Sequence, residues 1–412
     1  MLRYAFLLFF LAGTLFSQNL KFRTEYVASG PGHLAEFNVL KNSDDDKIYI
    51  VTREAIDKNL YLALYDNSFN RLFKLPVTPD LNVEDSFIRN GKLYFSDSKL
   101  KCLNLSDYKP DEVNRDRKNI YEISDGKLGG KEVIAAITPE FIYIFDITTN
   151  KEILNIKKEN KEKNLGRIAF YNSDIYYTSE GNEISKFDTK KNMIAWSVKL
   201  PDKPVKLLGI KLSSVPDAIT CINPFRKNNR DYIGVFTMAG DYFSFDPSSG
   251  KLVKDDIQFE RFDDLSQNNS RLFVNCHYYE DKATNNLLIY AGSVDHSVYC
   301  LNEKDCRPLW ETSTDNEIQK PLSYLDINKD GYPEVFGVND YDSNLFVLDG
   351  KTGKKLVFKS FKEGKQFSQT EVQLADLYGT GTLNLIFKIN KEKLKVLELS
   401  GVQVPKNFVS TF

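Results

Sequence analysis

Apolar and polar positions along this chain alternate in short runs, and the runs recur in one order. Near the C-terminus, Val335-Phe336-Gly337-Val338 is an apolar strand closed by the polar turn Asn339-Asp340. Asn344-Leu345-Phe346-Val347-Leu348-Asp349 follows as an alternating strand ending in Leu-Asp. A Thr352-Gly353 turn then leads into Leu356-Val357-Phe358. Upstream, Ile289-Tyr290-Ala291-Gly292 leads to Val298-Tyr299-Cys300-Leu301 and then to Leu309-Trp310. Tyr232-Ile233-Gly234-Val235 leads to Tyr242-Phe243-Ser244-Phe245-Asp246 and then to Leu252-Val253. Ile175-Tyr176-Tyr177-Thr178 leads to Ile184-Ser185-Lys186-Phe187-Asp188 and then to Ala195-Trp196. Alternation of this kind sets one face of each strand against a neighbouring sheet.

A period of roughly 40–57 residues made only of short strands predicts an all-β, eight-bladed β-propeller. The second strands of the eight repeats are placed at Ile48, Leu93, Val133, Ile175, Tyr232, Leu288, Val335 and Leu385. Seven blades are the alternative if the weak repeat around Leu93 or Val133 is an insertion. The last repeat supplies strands near residues 370–374, 383–389 and 394–399 but lacks a fourth. Residues 20–26 share the pattern of residues 356–361, so residues 20–27 are expected to complete that last blade and remove an open edge. Trp196 and Trp310 fall in the aromatic slot of the fourth strand, with Phe73 and Phe358 in the same slot. Rings of this kind bury about 150–250 Å² each and are expected to fill the gap between adjacent sheets.

The 412 residues would suggest two or three domains by length, but repeated blades form one unit, assigned to residues 18–412. A net charge of −2 provides no basic field for nucleic acid or anionic lipid. Residues 1–17 carry Arg3 ahead of an apolar run too short for a membrane span. They read as a secretory signal peptide cut after Ser17 or Gln18, with an uncleaved anchor as the alternative, and the former predicts a secreted, periplasmic or cell-surface protein with no transmembrane segment after cleavage. The cysteines are Cys102, Cys221, Cys276, Cys300 and Cys306, an odd number that leaves at least one unpaired. A disulfide across the hairpin between Cys300 and Cys306 is left open, and Cys221 and Cys276 begin equivalent segments of neighbouring repeats. No cysteine spacing suits zinc. The histidines His33, His277 and His296 have no ligand spacing, and neither a nucleophile elbow nor a Walker loop is present.

One turn carries candidate chemistry. Asp326-Ile327-Asn328-Lys329-Asp330-Gly331-Tyr332-Pro333-Glu334 places oxygen side chains at steps one, three, five and nine. Calcium takes about 6–8 oxygens, and Asp326, Asn328, Asp330, Glu334 and the Tyr332 carbonyl are the expected ligands of one structural Ca²⁺. The competing reading is a metal-free Asp-Gly turn. In the related segment from Asp376 to Asn384 the middle oxygens are lost, and in the one from Asn223 to Asp231 Lys227 replaces the central acid.

The run from Val347 to Leu356 resembles the repeat of quinoprotein-dehydrogenase-like (PQQ-like repeat) propellers. The Asp326 to Glu334 loop is similar to the calcium loop of FG-GAP repeats in integrin-type propellers. These resemblances imply a fold and not an activity. The adjacent-cysteine pair of the quinone enzymes is absent, so the resemblance implies a non-enzymatic relative without a cofactor other than calcium. Exported bacterial members of this group often act as interaction scaffolds, which the resemblance implies here. The expected function is therefore that of a scaffold binding a partner protein or an extracellular ligand. A calcium- or quinone-dependent enzyme working in the central channel, and an integrin-like adhesin, are the alternatives. Oligomeric state is left open.

Overall fold

The computed structural model describes residues 22–27, 33–113, 116–158, 167–179, 182–207, 210–257, 273–281, 284–304, 307–339, 344–361, 371–389 and 394–410. Residues 1–17 and Cys306 lie outside them, and so do the expected signal peptide and the Cys300–Cys306 pairing. Among the described residues there are eight four-stranded antiparallel sheets, one separate hairpin and no helix. Every second strand anticipated from the alternation is present, from Ile48–Ile56 in blade 1 to Thr382–Lys388 in blade 8. Both weak repeats, around Leu93 and Val133, are full blades. The separate hairpin, Lys203–Leu207 with Ile210–Val215, joins blades 4 and 5 and was not anticipated.

The core lies between the sheets. Eight clusters of buried apolar side chains each span two consecutive blades. One of them joins blade 8 to blade 1 through Ile386 and Val396 against Val39 and Ile50, so the ring is closed. The last sheet takes its outer strand from the opposite end of the chain: Phe22–Val27 pairs antiparallel with Leu394–Gln403, with Phe22 opposite Leu399. That strand satisfies an edge that would otherwise be left open.

A local device explains why the turns between third and fourth strands are so legible. Asp146, Asp188, Asp246 and Asp349 each accept backbone N–H bonds from residues two or three further on, at 2.7–3.0 Å. The fourth turn residue (Asn150, Asn192, Gly250 or Gly353) has positive φ. At Gly250 and Gly353 a second demand is added. A Cβ there would stand 2.7 Å from the indole of Trp196 or Trp310, which belongs to the preceding blade. The indoles also donate hydrogen bonds to these turns, Trp196 to the Pro247 carbonyl at 3.2 Å and Trp310 to the Gly350 carbonyl at 3.0 Å. Each tryptophan thus seats itself on the turn of the next blade.

Phe358 departs from the expected slot. A register shift between Val347 and Leu348 places Val357 opposite Val347 and buries it. The same shift precedes Trp310 and Trp196. Val357 is therefore the equivalent of the tryptophans, while Phe358 points outward with the Lys355 ammonium over its ring.

Trp310→Ala removes a buried ring and its N–H bond together, and it should cost about 3–5 kcal/mol in urea unfolding. Gly353→Ala should also lower the midpoint, because it meets the indole and strains a positive φ. Midpoints equal to wild type in both variants would contradict this packing.

Candidate functional site

Closing the ring brings the first strands of the blades together. The first strands of blades 8, 1, 2, 3, 4, 5 and 6 pack against one another in that order. His277 stacks on Tyr324 at 4.3 Å to join blade 6 to blade 7, and the Ser323 hydroxyl donates to the Val372 carbonyl to join blade 7 to blade 8. Four of these strands carry bulges: His33–Lys41 between Leu34 and Glu36, Leu81–Arg89 between Asn82 and Phe87, Ile219–Lys227 before Cys221, and Phe273–Asp281 before Cys276. A bulge re-aims the side chains beside it. Here the residues at or just after the bulges meet near the ring axis.

The axial cluster joins residues far apart in sequence. Arg53 pairs with Glu36 at 3.0 Å and donates to the Leu81 carbonyl at 2.9 Å. The Asn38 amide donates to the Val83, Glu84 and Ser86 carbonyls at 2.9–3.3 Å. Gln373 of blade 8 accepts from the Val39 N–H and donates to the Asn38 side chain at 3.3 Å, with its amide also donating to Glu371. Lys320, just ahead of blade 7, reaches Glu84 of blade 2 at 2.5 Å. Asn82 donates to Asp85 at 2.5 Å. Arg167, at the entrance to blade 4, influences both Asp85 and the thiols of blades 5 and 6.

The electrostatics follow from crowding and burial. Glu36, Glu84, Asp85 and Glu371 are four carboxyls served by Arg53, Lys320 and Arg167. Burial pushes Asp85 up to about 7, and Glu84 and Glu36 add repulsion against the pull of Arg167. Burial likewise pushes Glu371 up to about 8, with Glu84 and Asp85 adding to it and Gln373 and Lys320 opposing it. Burial lowers the Lys320 ammonium, but Glu84 and other carboxylates overcome that and leave it raised. Among the described residues, burial and like charge therefore outweigh the pull of the neighbouring cations on these carboxyls.

The calcium candidates lie in one loop before the second strand of blade 7, Glu334–Val338, and among the described residues no three His, Cys, Asp or Glu side chains are gathered as a metal would need. Asp326 accepts the Gly331 N–H at 3.0 Å through one oxygen, and its Oδ1 is buried with no hydrogen-bond partner. Asn328 accepts from the Asp330 N–H and Asp330 from the Tyr332 N–H, at 2.8 and 2.9 Å. Glu334 is fully buried and accepts from the Ile327 N–H and the Asn328 amide, both at 2.7 Å. Burial raises its pKa to about 8, and the charges of Asp330, Asp326 and Asp349 add to the shift. The equivalent loop in blade 8 spends both Asp376 oxygens on the N–H groups of Thr380, Gly381 and Asn407.

His277 lies in mid-strand, opposite Tyr290, with burial lowering its pKa and Tyr324 covering one face. His296 occupies a turn at φ 72. The axial carboxyls were missed altogether. The available signal was Glu84-Asp85 inside a strand otherwise bounded by Val83 and Phe87, a charged pair where a first strand should be apolar.

No known protein family matches this chain, and no curated protein does. Solved structures share its fold. A europium-containing methanol dehydrogenase superposes with TM-score 0.58 at 10% identity, over 90% of this chain and 85% of that one. BamB from Moraxella catarrhalis gives 0.52 at 13%, over 92% and 100%. The C-terminal WD40 domain of Sif2 gives 0.59 at 11%, over 92% and 99%. Identities this low establish a propeller fold and leave chemistry to the site. Among the described residues no helix is long and apolar enough to cross a membrane.

A raised carboxyl contributes stability that is fully present below its unfolded pKa and is lost as pH rises through its folded value. For Asp85 and Glu371 that window runs from the ordinary carboxyl values of 3.8 and 4.5 up to about 7 and about 8. The double variant Asp85→Asn/Glu371→Gln should therefore gain melting temperature relative to wild type as pH rises from 5 to 8. A difference that stays constant across that range would contradict the assignment.

Proposed function

We propose that this chain is an exported binding propeller and not an enzyme, and that its axial cluster receives a cationic group from a partner protein or extracellular ligand. The observation that carries this is geometric: among the described residues four carboxyls converge at the axis, Arg53 and Lys320 are engaged by Glu36 and Glu84, and burial with like-charged neighbours pushes Asp85 and Glu371 toward the neutral form. A lysine or arginine side chain entering there would add positive charge and return both carboxyls to carboxylates. Contact with a protein partner is further supported at the rim. Ile153, Met193, Leu252, Val253, Leu309 and Phe358 are exposed, and all lie on the outer strands of blades 3 to 7. An enzyme acting in the channel is the second reading, because carboxyls poised near neutrality also suit proton transfer. A quinone absorbance in the purified protein would favour it.

We propose further that the blade 7 loop closes around one structural Ca²⁺ when the ion is present. Asp326, Asn328 and Asp330 would hold it through side-chain oxygens, Tyr332 through its carbonyl, and Glu334 once the Asn328 amide turns away from it. The unpartnered, buried Asp326 Oδ1 supports this reading. The ion would offset the mutual repulsion of three carboxylates.

Calorimetric titration with an oligo-lysine peptide tests the binding site. Affinity should rise as pH passes from 6 to 8, and Asp85→Asn/Glu371→Gln should weaken it about tenfold, the equivalent of about 1.4 kcal/mol. Absence of binding, or binding indifferent to both variant and pH, would overturn the proposal. For the loop, calcium should raise the melting temperature of the wild type over that in chelator, and Asp330→Ala should abolish the difference. Equal melting temperatures for the wild type in calcium and in chelator would remove the metal from the account.

A further inference from the structure

Two thiols share the axial wall with the carboxyl cluster and take no part in it. Cys221 and Cys276 each follow the bulge of their first strand, so they occupy the same register in blades 5 and 6. Those two strands pack side by side. The Cys221 thiol lies 3.6 Å from the Cys276 carbonyl oxygen, and the two thiols are hydrogen-bonding neighbours. Both are half-buried against the apolar cluster between blades 5 and 6, whereas Cys102 and Cys300 are buried within two other such gaps.

We propose that Cys221 and Cys276 are a modification site, a dithiol that a small-molecule disulfide oxidises to an intramolecular bridge between blades 5 and 6. Fifty-five positions separate the two residues, so the bridge would close a long loop and fasten two adjacent blades at the axis.

The chemistry is thiol–disulfide exchange. The Cys221 thiolate attacks one sulfur of the oxidant, forms a mixed disulfide and expels the first thiolate. The Cys276 sulfur, losing its proton, then attacks the Cys221 sulfur and expels the second. Two protein thiols become one disulfide, the oxidant is reduced to two thiols, and the two protons pass to the departing sulfurs.

Reactivity is distributed accordingly. The hydrogen bond from Cys276 holds the Cys221 thiol below its usual value, with Arg167 assisting, while burial holds Cys276 well above. Cys221 is thus the attacking group and Cys276 the resolving one. Burial pushes the Cys300 thiol up to about 12 and also raises Cys102, which leaves both inert.

The full-length protein, treated with oxidised glutathione and mapped by mass spectrometry after alkylation, tests this. The expected product links the Cys221 and Cys276 peptides with the loss of two hydrogens, leaves Cys102 and Cys300 to be alkylated only on unfolding, and melts at a higher temperature until reductant is added. Cys221→Ser should abolish the link. Cys276→Ser should stop the reaction at a glutathione adduct on Cys221. Wild-type protein whose two thiols stay alkylatable, that stops at glutathione adducts, or that links either cysteine to Cys306 instead, would overturn the proposal.

Discussion

Sheet-to-sheet packing around a closed ring is the constraint on which the other features depend. No blade has a core of its own, because the apolar clusters lie in the gaps and each gap needs two sheets. Closure therefore has to be complete, and the pairing of Phe22–Val27 with Leu394–Gln403 completes the last sheet. The same closure drives eight first strands toward one axis. Side chains on their inner faces have nowhere to go but toward each other. Charged groups placed there lose water and find neighbours of their own sign, which is the origin of the raised carboxyls at Asp85 and Glu371.

The two homologous loops of blades 7 and 8 show how a turn and a charge can be separated. Leu377 donates its N–H to Asn384 at 2.8 Å, just as Ile327 donates to Glu334. The ninth residue of the loop therefore has a structural task that a neutral amide performs as well as a carboxylate. In blade 8 the first acid is fully occupied by backbone donors, including one from the C-terminal segment at Asn407. In blade 7 a carboxyl, Glu334, stands where the turn needs only an amide, and one Asp326 oxygen is left over. That surplus is the physical reason to look for a cation in blade 7 and not in blade 8.

Much of the fold was legible because its signals are local. The Asp349 to Gly353 turn and its counterparts write their hydrogen bonds within five residues, and alternation marks each strand directly. Phe358 was misplaced because a bulge at Val347 shifts the outer strand by one residue, which alternation alone does not reveal. The axial cluster was illegible for a different reason. Gln373 and Asn38 are 335 positions apart, and Lys320 and Glu84 are 236 apart. Nothing in a local pattern states which residues of different first strands face one another. That the chain forms a ring was predictable, yet which charges the ring collects was not.

Convergence at the axis should leave carboxyls that burial and like-charged neighbours hold above their ordinary range. Site-resolved carbon NMR titration of the Asp85 and Glu371 carboxyls, in wild type and in Glu84→Gln, measures this directly. The two groups should titrate near 7 and 8 in the wild type, and both should shift downward once the charge of Glu84 is removed. Titration of both in the ordinary carboxylate range in folded wild-type protein would contradict the account.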